Sequence, residues 1–288
     1  MILITGASGS VGKAVLHEAS RKESKIRAMF RSKEEAAKAP SGCETVLADY
    51  ADKQSLRNAL DGATSVFVVC SPIPQLVELE SNVLDVCKES GVEHVVLNSA
   101  LGAGDCQKSF PSWHRKVEDK LKTTGMSYTI LRPNGFLQNI VAFNAPSIRE
   151  QGAFYAAMGD AKVSYLDIGD IAVVAVKALK GGRHSGKTYE LLGTEAISNQ
   201  ELAARISRVV GRTVNYVDIP ESAQREAMLG LGMPEWQVTA LLDLQQYYKQ
   251  GGCAKTDGLL RSLIERDPVT LDQYLTANAQ QFRQAASA

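Results

Sequence analysis

Gly6, Gly9 and Gly12 follow the apolar run Ile2–Ile4 at three-residue spacing, and the chain continues as Lys13-Ala-Val-Leu-His-Glu-Ala with helical periodicity. Strand, glycine turn and helix in that order form a site for the phosphates of a dinucleotide. Gly6 permits a tight turn, Gly9 lets the backbone approach a pyrophosphate, and Gly12 lets the helix pack on the strand. The free amides and positive end of the helix then face the anion, with Ser8, Ser10 and Val11 as further candidates along the turn. The second strand ends Phe30-Arg31-Ser32-Lys33. A free ribose hydroxyl would call for Asp or Glu there, about 20 residues past the glycines. Arg31 instead offers a planar fork suited to a phosphate, and Lys33 adds a second cation, so NADP(H) is expected over NAD. A solvated strand-end arginine is the plainer reading.

Other polar residues fall at strand ends. Asp49 closes the third strand, to accept from the adenine amino group or to cap the next helix, a role open to Asp52 as well. Cys70, Ser71 and Pro72 begin a loop after the fourth strand that borders the nicotinamide ribose in this reading, held extended by Pro72 and Pro74. Asn98 closes the fifth strand as a further cofactor candidate. A proton donor is harder to find. Ordinary short-chain reductases pair a Tyr with a Lys four residues on, the ammonium lowering the phenol pKa. None of the nine tyrosines has Lys at that spacing, and Tyr128 has Arg132 there. This weighs against an epimerase or dehydratase. His17, His94 and His184 share no metal-like spacing, and no metal is expected.

The elements needed to position these residues are legible. Strand runs Lys25–Phe30, Glu44–Ala48, Thr64–Val69, Glu93–Asn98 and Ser127–Arg132 alternate with helical stretches at Lys33–Lys38, near Asp52–Leu60, Gln75–Ser90 and about Ser112–Thr124. Six βα repeats with right-handed crossovers predict an α/β, doubly wound parallel sheet, the Rossmann fold. Beyond Arg132 the rhythm breaks. Strands are expected at Val163–Leu166, Lys187–Leu192 and Thr213–Asp218, and helices at Ile168–Leu179, Asn199–Val210, Pro220–Leu229, Pro234–Gln250 and Thr270–Arg283. The expected division is a dinucleotide-binding domain over 1–150, with 160–193 returning to the sheet, and a smaller, mostly helical substrate or partner lobe over 194–288. A substrate pocket is expected where that lobe meets the sheet edge.

Composition bounds the function. With 288 residues, 32 basic and 32 acidic side chains and a formal net charge of zero, no global field draws nucleic acid or an anionic membrane. No apolar run approaches the roughly 20 residues that span a bilayer. The five cysteines form no CxxC pair, and an odd number argues against a disulfide framework. With a first strand starting at Ile2 and no export signal, a cytoplasmic protein is expected. A mixed-charge surface with apolar helices is compatible with a homodimer.

Gly6-Ala-Ser-Gly-Ser-Val-Gly12, Val46-Leu-Ala-Asp49, Tyr128-Thr-Ile-Leu-Arg-Pro-Asn134 and Asp167-Ile-Gly-Asp-Ile-Ala172 together resemble the NmrA-like family of atypical short-chain dehydrogenase/reductases, which includes quinone oxidoreductases and triphenylmethane dye reductases. The resemblance implies NADP(H) binding and either reductase activity or cofactor sensing without chemistry. In the similar isoflavone-reductase-like enzymes the helix after the fifth strand begins with a catalytic Lys, and counting back from Tyr128-Thr129 that position matches His114. A His there donates a proton or binds a substrate oxygen; capping the helix or holding the loop is the plainer role. Ser99 stands where ordinary short-chain members carry their catalytic Ser, or only ends its strand. Trp113, Asn134 and Phe136, with Asn139 nearby, are candidates to line the substrate site, though Trp113 is more simply a packing residue. Asp167 and Asp170 read as structural. The expected activity is NADPH-dependent hydride transfer to a quinone-like, dye-like or enone acceptor, and the alternative is a redox sensor that presents its NADP(H) state to a protein partner.

Overall fold

Val-, Ile- and Leu-rich runs that alternate with amphipathic helices can bury both faces only in a parallel sheet covered on both sides. The computed structural model, which describes residues 1–23 and 25–284, has this order. Its first half runs β1 (Ile2–Ile4), α1 (Ser10–Lys22), β2 (Ile26–Phe30), α2 (Lys33–Ala36), β3 (Glu44–Leu47), α3 (Lys53–Leu60), β4 (Ser65–Val68), α4 (Leu76–Glu89), β5 (His94–Asn98), α5 (Ser109–Thr123) and β6 (Ser127–Pro133). Next come α6 (Leu137–Gln151), β7 (Ala153–Ala156), β8 (Lys162–Val163), α7 (Ile168–Ala178), β9 (Lys187–Leu191) and β10 (Ile197–Ser198). The chain ends with α8 (Asn199–Val210), β11 (Asn215–Asp218), α9 (Glu221–Gly230), α10 (Glu235–Lys249), α11 (Leu259–Ile264) and α12 (Leu271–Ala277).

Two compact units result. The first comprises Met1–Asp105, Phe110–Pro133 and Ile168–Leu191. Its seven strands pair in parallel in the order β3-β2-β1-β4-β5-β6-β9. Strand order reverses between β1 and β4, the place where open α/β sheets form a crevice beyond the carboxyl ends of the strands. The central strands carry the core: Val66, Val95, Leu97 and Ile130 are fully buried on one face, where Leu56, Val83, Leu84 and Leu121 cover them from the helices, and Phe67 and Val96 are fully buried on the other. α1 packs beside α7. Edge strand β3 is mostly exposed and is held by Arg27, whose guanidinium binds Glu44 at 2.7 Å and the Ala59 and Asp61 carbonyls.

The second unit comprises Cys106–Ser109, Asn134–Asp167 and the chain from Leu192 onward. Leu137, Ile140 and Ile148 of α6 pack with Phe154, Ile206, Leu275 and Phe282 in a separate core. The short ladders β7–β11, parallel, and β8–β10, antiparallel, belong to it. α8 and α12 are each sealed by a capping box, Ser198 with Glu201 and Thr270 with Gln273.

Several sequence expectations need correction. A boundary at residue 150 does not match the packing, because the apolar stripe of α6 joins the second core and takes residues 134–150 with it. The strand expected over Val163–Leu166 is only Lys162–Val163; from Ser164 the backbone bonds to Cys253 and Gly135 instead of a continuing ladder. The helix expected over Thr270–Arg283 stops at Ala277 and gives way to a 3-10 turn, Ala279–Phe282, that buries Phe282.

Candidate active site

Because the strands of the first unit are parallel, their carboxyl ends share one edge, and most of the sequence-derived candidates lie there. Gly6, just past β1, has φ +57°, and a Cβ on it would come within 2.8 Å of both Val69 Cγ1 and the Val69 carbonyl. Only glycine fits that approach to β4. A Cβ on Gly12 would lie 2.1 Å from the Gly6 carbonyl, so α1 can meet the turn only without a side chain there. Gly9 differs: its Cβ would touch only the Gly6 carbonyl, at 3.4 Å, and its other side is open. It is the N-cap of α1 and supplies no side-chain cap, leaving the first-turn amides of α1 without side-chain acceptors. Ser8 and Ser10 are exposed, and Val11 is buried in the helix base. The residues present therefore fit a dinucleotide: the turn is shaped by its own close contacts, and its outer face is left open.

Arg31 follows β2, is exposed, and makes no hydrogen bond or ion pair among the described residues. Lys33, also exposed, opens α2, which Ser32 caps through the Glu35 amide. Two exposed basic side chains thus follow β2, the strand paired with β1, with no acid between them in the chain. Of the two acids after β3, Asp52 is the cap of α3, accepting from the Gln54 and Ser55 amides at 2.9 and 3.2 Å. Asp49 is exposed and its Oδ1 accepts the Ala51 amide at 2.8 Å, which folds the turn before that helix. Cys70 is half-buried, its thiol pushed up to about 12 by burial and the nearby Glu80, while Ser71 and Pro72 are exposed. It is no thiolate nucleophile.

At the ends of β5 and β6 the polar groups are arranged differently. Glu118 of α5 is fully buried and accepts from Arg132 Nε at 2.9 Å, Arg132 Nη2 at 2.7 Å and the Ser99 hydroxyl at 2.6 Å. These bonds hold its carboxyl below the usual range despite burial. Arg132, four residues after Tyr128 but on the same extended strand, is committed to Glu118 and reaches Glu190 at 3.6 Å. Ser99 has only 2% exposure, and its hydroxyl donates to Glu118, so in this arrangement that proton is engaged with the carboxylate.

His114 lies one helical turn before Glu118. Since α5 starts at Ser109, not near Ser112, the imidazole sits in the second turn and caps nothing. It is buried, Nδ1 has no partner, and desolvation pulls its pKa down to about 4, against the pull of the Glu118 charge. At neutral pH the ring is an uncharged hydrogen-bonding group. Asn98, buried at the end of β5, likewise leaves Oδ1 unpartnered, its amide making a long 3.5 Å contact to the Ser99 carbonyl. Trp113 stacks edge-on against Phe110, centroids 5.4 Å apart, and packs on the sheet core.

Asn134 and Phe136 belong to the second unit, and Asn134 needs correction as a substrate ligand. Both protons of its Nδ2 are used, on Ser164 Oγ at 2.8 Å and the Cys253 carbonyl at 2.9 Å, while Oδ1 accepts the Gly135 amide. It is a buried brace. Phe136 is half-buried at the start of α6 and bridges to Leu166; Asn139 follows in its first turn. Asp167 accepts from Gln138 at 2.7 Å, and Asp170 is buried in the first turn of α7. His94 binds the Ser127 and Thr129 hydroxyls, and His184 binds the Tyr189 hydroxyl, so neither is free for a site. A cleft of about 510 Å³ in the second unit, near Gly159, Lys162, Asp218 and Lys249, contains none of the candidates.

Two residues that sequence reading passed over, Glu118 and Glu80, are fully buried acids. Glu118 stands four residues after His114, the spacing that puts two side chains on one helix face. Glu80 stands four after Leu76 and three before Val83, both core residues of α4.

A parallel doubly wound sheet with an open glycine turn at its first strand defines a dinucleotide-binding Rossmann protein. The chain belongs to the NmrA-like family, which it matches over residues 1–283. It is 34% identical over 249 residues to the NAD(P)H azoreductase of Xenophilus azovorans, spanning 85% of this chain and 86% of that protein. Quinone oxidoreductase 2 of Escherichia coli is 30% identical over 94% of this chain and 96% of its own length. The crystal structure of that quinone oxidoreductase complexed with NADPH superposes with a TM-score of 0.90 over 96% of this chain and 99% of that one. The fold is also that of the Citrobacter triphenylmethane reductase, with a TM-score of 0.87 at 24% identity over 97% of this chain and 100% of that one.

Proposed function

We propose that the protein is an NADPH-dependent oxidoreductase that reduces a flat, conjugated small molecule of the quinone, azo or other dye, or enone class. One observation carries this reading: the side-chain-free helix start behind Gly6 and Gly12, flanked by the unpaired Arg31. The amides would hold the pyrophosphate, and Arg31, with Lys33, the 2′-phosphate. The azoreductase and quinone oxidoreductase relatives support the class of reaction. When bound, NADPH supplies a hydride.

The chain's own part is to hold and orient. An acceptor that spreads the incoming electron pair over a conjugated system needs little acid assistance, so positioning contributes most of the rate. His114 suits that task as a neutral ring that offers a hydrogen bond to an acceptor heteroatom; the final proton then comes from solvent. Glu118 and Arg132 hold Ser99 and the His114 helix in place. The second reading, a sensor of NADP(H), draws on the lack of a ready acid among these groups: the Ser99 hydroxyl is engaged by Glu118, His114 is no imidazolium at neutral pH, and the Tyr/Lys pair is missing.

The test is NADPH consumption against a panel of quinones, azo dyes and triphenylmethane dyes. Turnover with at least one class is expected. Tight NADP⁺ binding with no turnover on any acceptor would replace the reductase with the sensor.

A further inference from the structure

Glu80 is the most anomalous ionisable residue of the first unit. It lies in the second turn of α4 with no exposure, and among the described residues its carboxyl meets no cation and only the Cys70 amide bears on it as a donor. Buried charges are ordinarily paired, because desolvation is otherwise uncompensated. Glu118 shows the paired solution in the same unit. Glu80 has no such cation. Burial raises its pKa to about 8, and the Cys70 amide, which favours the charged form, does not offset this.

Its surroundings connect it to the glycine turn. Tyr50, which follows β3, places its hydroxyl 2.5 Å from Thr5 Oγ1 and 3.0 Å from the Val69 carbonyl. Thr5, the residue before Gly6, donates to the Phe67 carbonyl at 2.8 Å and accepts the Val69 amide at 3.3 Å. The Val69 carbonyl is also the atom that leaves no room for a Cβ on Gly6. α4 reaches the same segment twice: Asn82 donates to the Tyr50 carbonyl at 3.1 Å, and the Glu80 carboxyl lies against the amide of Cys70, the residue after Val69. The exit of β4 and the glycine turn are thus fastened by one buried polar cluster, with the unpaired acid behind it.

We propose that Glu80, kept as the uncharged acid, is a positioning residue for the dinucleotide: it lets the β4 exit lie locked against the Gly6 turn, and loss of its proton loosens nucleotide binding. A bare carboxylate in this cluster has two outcomes. The Val69–Cys70 segment moves to admit water, or the charge stays and opposes the nucleotide phosphates. Both weaken binding. No neighbour confuses the titration near pH 8. Tyr50 is raised well above 10 and Cys70 to about 12. Arg31 is felt only through Cys70, and the Lys53–Asp85–Lys120 ion pairs that join α4 to α3 and α5 lie further along the helix.

The inference rests on the reading of the glycine turn as the NADP(H) site, and its test separates the two. NADPH affinity is measured by fluorescence titration from pH 6.5 to 9.5 for the wild type and for Glu80→Gln, the shape-matched neutral variant. Wild-type affinity should fall about thirtyfold between pH 7 and 9.5, the full linkage to one proton whose free pKa is about 8, while Glu80→Gln stays flat. Wild-type affinity that does not change with pH overturns the proposal whether or not the variant folds, as does an equal fall in the variant. No NADPH binding at any pH by folded protein overturns the dinucleotide reading itself, and this inference with it.

Discussion

The two halves of one sheet edge treat their polar groups in opposite ways. At the end of β1 the helix start has no side-chain cap, and Arg31, after the neighbouring β2, makes no hydrogen bond or ion pair among the described residues. At the ends of β5 and β6 the strong polar groups are spent on one another, with Glu118 taking three bonds from Arg132 and Ser99. Open hydrogen-bonding capacity next to backbone that tolerates no side chain marks where a ligand's charge is received. A closed ion pair beneath a buried imidazole marks a scaffold. Tyr128 and Arg132 share no helix turn: both lie on the extended strand β6, where four residues span about 13 Å, so they make no counterpart of the ordinary Tyr/Lys dyad.

This contrast can be broken from either side. Glu118→Ala leaves Arg132 deprived of its main partner and should cost about 3–5 kcal/mol in urea unfolding, the usual penalty for breaking a buried pair. NADPH affinity of the folded fraction should hardly change. Gly12→Ala should do the reverse, costing about 1–3 kcal/mol in stability through overpacking while removing most NADPH binding by calorimetry. If Glu118→Ala abolished nucleotide binding and Gly12→Ala spared it, the two roles would have to be exchanged.

His114 sharpens the comparison with a smaller effect. Its folded pKa is lowered to about 4, so it is neutral at every pH above that, and the wild-type kcat profile should show no inflection between pH 5 and 8 from this residue. In stability terms the ring, forced to stay neutral, disfavours the folded state below its unfolded value near 6.5, and that cost grows as pH falls towards 4. His114→Gln, which keeps a donor, should lower kcat about tenfold or less, the worth of one hydrogen bond. A clear inflection near pH 6.5 that vanishes in this variant would make His114 a proton donor after all.

Much of the nucleotide half was legible in the sequence because its signals are local. A Val/Ile/Leu run, glycines at fixed spacing and a strand-end arginine need no tertiary knowledge. The other half depends on distant contacts. Asn134 looks like a pocket residue, but its amide is taken by Ser164 and by Cys253, far along the chain. Ser99 looks catalytic until Glu118 claims its proton. Helix α6 is masked in the sequence by Pro146, which it accommodates, and by the exposed Phe143, which together blur the apolar stripe of Leu137, Ile140 and Ile148. Glu80 and Glu118 read as solvated helix charges; only their spacing from Leu76, Val83 and His114 hinted otherwise.

The most direct test of the account is the ratio of NADPH to NADH affinity, measured by calorimetry before and after Arg31→Ala. The wild type should favour NADPH, and the variant should lose about 1.5–3 kcal/mol of NADPH binding, the worth of a charge-assisted contact, with little change for NADH. Equal losses for both nucleotides, or a wild type with no preference, would contradict the claim that this edge of the sheet is built for a 2′-phosphorylated dinucleotide.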